Sequence, residues 1–208
     1  MALVKYNNQS IADITETGLG AAGAMTLIKE QTASSDSTIN FINGTSDVVL
    51  DSTYPIYLFK FINIHAGTDS AQLTMNFSVD TGSNYNVTKT TTAYKATHSE
   101  DDGTQEWTYH ASYDLAQSTA VQKISNSVDG SSNADSNAGG HLYLFGPSST
   151  TFVKHFLCCI WSEDGEIGYN QVTAGYGNTT SAVDAVQFAL TSGDIDAGTF
   201  KLYGIKDS

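Results

Sequence analysis

An all-β domain, either a sandwich or a barrel, is the fold class that this chain predicts, and three observations carry it. Short runs rich in Val, Ile, Phe, Tyr and Thr recur with the side-chain period of two that a pleated strand imposes. Clusters of Gly, Asn, Asp and Ser separate the runs and supply the turn conformations that reverse a chain. The runs at residues 24–32, 38–42, 55–65, 71–80, 141–145, 151–162, 167–174, 183–190 and 199–205 fill so much of the 208 residues that little is left for helix. With 40% hydrophobic and 15% charged residues, the chain can fill a core, and its composition lies far from that of a disordered protein.

Residues 1–23 precede the first run. Asn7, Asn8, Gln9 and Ser10 are polar and Gly18, Gly20 and Gly23 loosen the backbone, so this stretch reads as an extended N-terminal arm on a single domain at 24–208. Gly18-Leu19-Gly20-Ala21-Ala22-Gly23 has the spacing of a dinucleotide loop. A strand follows it instead of a helix and no apolar strand precedes it, so the spacing implies no cofactor.

Residues 55–65 and 71–80 flank a polar connection at 66–70, a length that wider hairpins use, and are expected to pair antiparallel. In the second arm Leu73, Met75, Phe77 and Val79 face the core, which leaves Gln72, Thr74, Asn76 and Ser78 to water. The first arm is apolar on both sides: Tyr57, Phe59 and Phe61 oppose Ile56, Leu58, Ile62 and Ile64, interrupted by Lys60. Residues 151–162 repeat the pattern, with Phe152, Phe156, Cys158 and Ile160 against Val153, Leu157, Cys159 and Trp161. A two-layer sandwich covers one face of each sheet, so the second face needs a loop, a helix or another subunit. Ile56, Leu58, Ile62, Ile64, Val153, Leu157 and Trp161 are therefore the candidate interface residues.

Between these runs, residues 111–124 carry Leu115, Ala116, Ala120, Val121 and Ile124 near helical spacing, which suits a short helix and a packed loop equally. Residues 129–140 hold no apolar side chain larger than alanine and read as a surface loop. At the end, Val183, Ala185, Gln187 and Ala189 alternate with Asp184, Val186, Phe188 and Leu190 before residues 199–205 close the domain.

The charge narrows the function classes. Twenty-two acids face nine basic residues for a net −13, and every basic residue is lysine. Without arginine forks and with a repulsive field, neither nucleic acid nor an anionic membrane is an expected partner. No run has the length of a transmembrane span, and residues 1–8 lack the charged-then-apolar order of a signal peptide. Cys158 and Cys159 are adjacent, point to opposite faces of a strand, and read as two reduced thiols.

No catalytic constellation emerges. The chain contains no G-x-S-x-G, and His65, His98, His110, His141 and His155 lack the spacing of a helical zinc site. Glu100, Asp101, Asp102 and Glu106, like Glu163, Asp164 and Glu166, fall in glycine-containing turns, where solvated carboxylates are the ordinary occupants. Asn133, Asp135, Asn137 and Gly139 open like a calcium loop but lack the closing glutamate. Neither an enzyme nor a metal nor a cofactor is expected.

The C-terminal pattern Val186-Gln187-Phe188, Ser192-Gly193, Ile195, Gly198-Thr199 and Leu202-Tyr203-Gly204-Ile205 resembles the ending of virion structural proteins of tailed bacteriophages, especially marine ones. Residues 54–64, a Thr68-Asp69 turn and the Gly82–Tyr85 segment extend the likeness from about residue 54 to the end. The resemblance implies a non-enzymatic virion subunit of the capsid-decoration, cement or tail-fibre kind, made in the host cytoplasm. It implies self-association, with a homotrimer as the assembly, and contact with other virion proteins. The fold reading is a jelly-roll-like antiparallel β-sandwich with at most one short helix. The alternative from another class is a carbohydrate-binding, lectin-like module acting in host-surface adsorption. Its marks would be loop aromatics, for which Trp107, Tyr109, Tyr113 and Tyr176 are the candidates.

Overall fold

The structure, a computed structural model, describes residues 25–130 and 135–206. Among the described residues the chain forms twelve strands and no helix. They are β1 (Met25–Ala33), β2 (Ile39–Ile42), β3 (Ile56–Ala66), β4 (Ala71–Ser78), β5 (Lys89–Ser99), β6 (Gln105–Tyr109), β7 (Gln122–Val128), β8 (Ala138–Phe145), β9 (Lys154–Glu163), β10 (Ile167–Gly177), β11 (Ala185–Leu190) and β12 (Ile195–Ile205). One sheet has eight strands in the order β1-β12-β3-β8-β9-β10-β5-β6, and the other has four, β2-β11-β4-β7.

With the hairpins β5–β6 and β9–β10 set aside, the strands that remain are β1-β12-β3-β8 facing β2-β11-β4-β7. That is the double Greek key of a jelly roll. The two hairpins, inserted after β4 and after β8, both dock beyond β8 and make one sheet twice as wide as its partner. The expected N-terminal arm lies outside the described residues.

Phenylalanines fill the space between the sheets. The Phe188 ring lies 5.0 Å from Phe61, 5.3 Å from Phe59, 5.7 Å from Phe200 and 6.2 Å from Phe41. Most of these contacts are edge-to-face, the arrangement that ring quadrupoles favour, worth about 0.5–1.5 kcal/mol per pair beyond area burial. Leu73, Ile124, Leu142, Ile160 and Ile195 extend the cluster and are fully buried.

Three local expectations are corrected. Residues 55–65 and 71–80 do not form a hairpin: β3 pairs with β12 and β8, whereas β4 pairs with β11 and β7. Their connection arches from one sheet to the other, held where Gly67 N–H donates to the Asp194 carbonyl at 2.9 Å and Ser70 N–H to Asp129 Oδ1 at 3.0 Å. Second, the polar side of β4 is not wet. Thr74, Asn76 and Ser78 are buried, because the chain after β4 and the chain before β7 fold over them; Asn76 Nδ2 donates to the carbonyls of Tyr85 at 2.6 Å and Thr119 at 3.3 Å.

Third, β3 does not keep one phase. Its register against β8 shifts between Phe61 and Ile64, and Asn63 adopts φ +49°. This bulge turns Ile64 into the core at 0% exposure, away from the face that holds Ile56, Leu58 and Ile62. Residues 111–124, read as helix or loop, are a loop that runs into β7.

Candidate functional site

The outer face of the eight-stranded sheet, turned away from the core, is where exposed side chains of one chemical kind collect. Across β1, β12, β3, β8 and β9 the register sets Leu27, Tyr203, Leu58, Tyr143 and Leu157 in one row. Leu27 and Leu157 are exposed, as are Met25, Ile62 and Phe145 nearby. Lys60 holds its ammonium 5.3 Å from the Tyr203 ring centre, and Tyr143 meets His141 edge to face at 5.3 Å and stacks with Phe145 at 6.3 Å. At the far side, Lys201 Nζ pairs with Glu30 at 2.9 Å; this hydrogen bond and the carboxylate charge hold the lysine above its usual range.

The predicted interface residues distribute unevenly over this surface. Ile56 and Val153 are half-buried, Ile62, Leu157 and Trp161 are exposed, and Leu58 is only 4% exposed although it lies on the outer face, between Tyr203 and Tyr143. Ile64 is inside the sandwich.

Beyond β8 the outer face changes character. On β9, β10, β5 and β6 the pairing places Trp161, Asn170, Ala96 and Trp107 in one row, with Cys159, Val172, Tyr94 and Tyr109 in the next. Trp107 is 74% exposed, Tyr109 53% and Trp161 52%. Of the aromatics suggested by sequence, Trp107 and Tyr109 stand here, Tyr113 is buried under a stacked His110 ring at 3.6 Å, and Tyr176 is half-buried beside His155. Trp161 and Tyr94 carry no such mark in the sequence. Trp161 reads as an interface residue in a buried-looking run, and Tyr94 lies in a threonine-rich segment with no strand signal.

Both acidic turns lie at one end of this surface, because β10 pairs with β5 and the Glu100 N–H donates to the Glu166 carbonyl at 2.9 Å. Asp101 organises its own turn: Ser99 Oγ donates to it at 2.6 Å and Gly103 N–H at 2.9 Å, and these bonds hold its pKa below the usual range. Burial raises Glu163, helped by the charges of Asp135, Glu100 and Asp164. Burial likewise raises Asp164, which accepts the Tyr169 hydroxyl at 3.2 Å. Among the described residues no three His, Cys, Asp or Glu side chains group so as to hold a metal ion. The calcium-like stretch lies partly outside those residues, since Asn133 is not described.

His110 Nδ1 is 3.2 Å from Gln171 Oε1, and burial pushes its pKa down. His98 Nε2 lies 3.4 Å from Asp102 in an exposed turn pair. Cys158 and Cys159 are free thiols; burial raises Cys158 well above the ordinary thiol range, and Cys159 donates to Asn170 Oδ1 at 3.3 Å.

Among the described residues two lysines are buried. Lys89 and Lys154 flank Gly177 on the inner face, one on each neighbouring strand. Lys89 Nζ donates to Asn76 Oδ1 at 2.5 Å and to the Val87 carbonyl at 2.8 Å; Lys154 Nζ donates to the carbonyls of Phe152 at 3.0 Å and Thr179 at 3.1 Å. These acceptors are neutral, so burial is uncompensated and moves Lys89 down to about 8. No helix among the described residues is long and apolar enough to cross a membrane. Comparison with protein-family models, with curated proteins and with solved structures finds no match to this chain.

Proposed function

We propose that this chain is a non-enzymatic structural subunit of a bacteriophage particle, of the capsid-decoration or tail-fibre kind, that works as a homo-oligomer. The observation that carries the reading is the apolar half of the outer sheet face, where Leu27, Phe145 and Leu157 stand exposed around Tyr143 and Tyr203. Burying one such side chain is worth roughly 1.5–3 kcal/mol, so a second copy laid on this face gains several such increments. A jelly roll supplies a stiff sheet on which to present it, and the resemblance of the C-terminal motif to phage virion proteins supports the particle as the setting. That resemblance also favours three copies, although closed symmetry alone would favour two.

Sedimentation at micromolar concentration tests the assembly. A species of three times the 22.2 kDa chain is expected, and Leu157→Asp should return it to a monomer with an unchanged unfolding midpoint. A single monomeric species in the wild-type protein refutes it. Electron microscopy of the particle, with this chain located in the density, tests the setting.

A further inference from the structure

The end of the outer face that carries the tryptophans differs from the apolar half in a way that self-association does not explain. Trp161 on β9 and Trp107 on β6 stand in the same register row, with Asn170 of β10 and Ala96 of β5 between them. Three strand spacings put their backbones about 14 Å apart. The floor between the two indoles is low, made of Ala96 and Asn170. Trp161 lies over Gly168 so closely that a Cβ there would collide with indole carbons Cζ2 and Cη2, which lays the ring along the sheet with its other face toward solvent. On the other wall Tyr94 supports Trp107, ring centres 5.6 Å apart, and leaves it 74% exposed.

Beside Trp161 opens a cleft of about 320 Å³ lined by His98, Glu100, Glu163 and Gly168. An aromatic plate next to hydrogen-bonding acceptors has the chemistry of a sugar site: the plate covers the C–H face of a pyranose and the carboxylates take its hydroxyl donors. Trp161 leans over Gly168 of β10 and Trp107 against Tyr94 of β5, so the gap between the rings is narrower than the backbone spacing and suits a short oligosaccharide. The sign of charge selects among sugars. Glu100 and Glu163 line the cleft in a chain of net −13, which opposes a sialate, a uronate or a sulfated glycan. A second copy of the chain is disfavoured at this end for the same reason, since it would bring a second set of these carboxylates.

We infer that the trough between Trp161 and Trp107 is a binding site for a neutral oligosaccharide, stacked on Trp161 and hydrogen-bonded by Glu100, Glu163 and Asn170. The site needs no oligomer, so it stands or falls independently of the assembly proposed above.

The chain has two tryptophans, and both are in this trough, so its intrinsic indole fluorescence reports on the proposed site alone. The test is a fluorescence titration of the full chain with lactose, maltotriose, mannotriose and N-acetylchitotriose, and with glucuronate as the acidic control. At least one neutral sugar should shift the emission saturably with a millimolar midpoint, and glucuronate should not. Trp161→Ala should weaken binding about tenfold, read by calorimetry, while the variant still unfolds in one cooperative transition above the assay temperature. Glu100→Gln should weaken the same sugar without moving the emission of the free protein. No shift with any neutral sugar, preference for glucuronate, or an emission shift that follows protein concentration without sugar each overturns the inference.

Discussion

Replacing Lys89 with methionine should stabilise this protein at neutral pH, and the gain should vanish in alkali. The ammonium is 0% exposed and has only neutral acceptors, Asn76 Oδ1 and the Val87 carbonyl, at 2.5 and 2.8 Å. Burial lowers its pKa from 10.5 to about 8. Between those values the unfolded chain binds the proton and the folded one does not, so unfolding free energy rises with pH through that window. The shift corresponds to about 3 kcal/mol of destabilisation, fully present below pH 8 and removed as pH passes 10.5. Methionine fills nearly the same space without charge. It forfeits two hydrogen bonds, each worth about 1 kcal/mol, although Asn76 Oδ1 keeps the Phe77 N–H at 2.9 Å. The net expectation is a gain of about 1–2 kcal/mol at pH 7 that changes sign at about pH 9.

Urea unfolding of both proteins from pH 7 to 10 measures it, and only the difference between them is read. Tyr57, Tyr113 and Tyr169, which burial raises to about 12, erode stability above pH 10 in both proteins alike. Lys154 is shifted down by burial as well and cancels in the same way. A difference that is flat across the range, or a variant less stable at pH 7, refutes the reasoning that Lys89 is buried as an uncompensated cation.

Further outcomes follow from packing and backbone geometry. Phe188→Ala should cost about 3–5 kcal/mol in denaturant unfolding, because four phenylalanine rings close on the site and cannot all collapse into it. Asn63→Val should cost about 1–2 kcal/mol in the same assay, since φ +49° is tolerated by asparagine and not by a β-branched side chain, whereas Asn63→Gly should be near neutral. In mass-spectrometric thiol labelling of the native protein, Cys159 should react slowly and Cys158 only on unfolding, because burial raises both and Cys158 is wholly enclosed.

Strands whose two faces differ in polarity or are both apolar are legible in the sequence, as β3, β9 and β12 are. β5 is not. Its inward residues Lys89, Thr91, Thr97 and Ser99 are buried but polar; Lys89 Nζ donates to Asn76 Oδ1 of β4, and Thr91 Oγ1 donates to Gln122 Oε1 of β7 at 2.7 Å. No hydrophobic alternation exists there to be read. The arch between β3 and β4 reads as a hairpin in the sequence because a short polar connection looks the same in both, and only the partners β12 and β11 distinguish them. The trough needed more still: Trp161 and Trp107 become neighbours in register only because β10 and β5 lie between their strands, a non-local arrangement.

The unequal width of the two sheets divides the molecule into parts of different cohesion. The β1-β12-β3-β8 half is clamped to its opposite sheet by the phenylalanine cluster, whereas the β9-β10-β5-β6 wing rests on β7 through Gln171, Thr173, Gln122 and Ser125 as well as through apolar groups. Thr97 Oγ1 and Ser162 Oγ in the wing, and Asn126 Nδ2 on β7, have no hydrogen-bond partner among the described residues. Such an interface gains less from excluding water, so the wing should open as a sub-global unit while the jelly roll stays closed. Amide exchange would then run faster along β5 and β10 than along β3 and β12. The tryptophan-bearing surface would thus be a semi-detached leaf, free to adapt or diverge without unfolding the body that carries it.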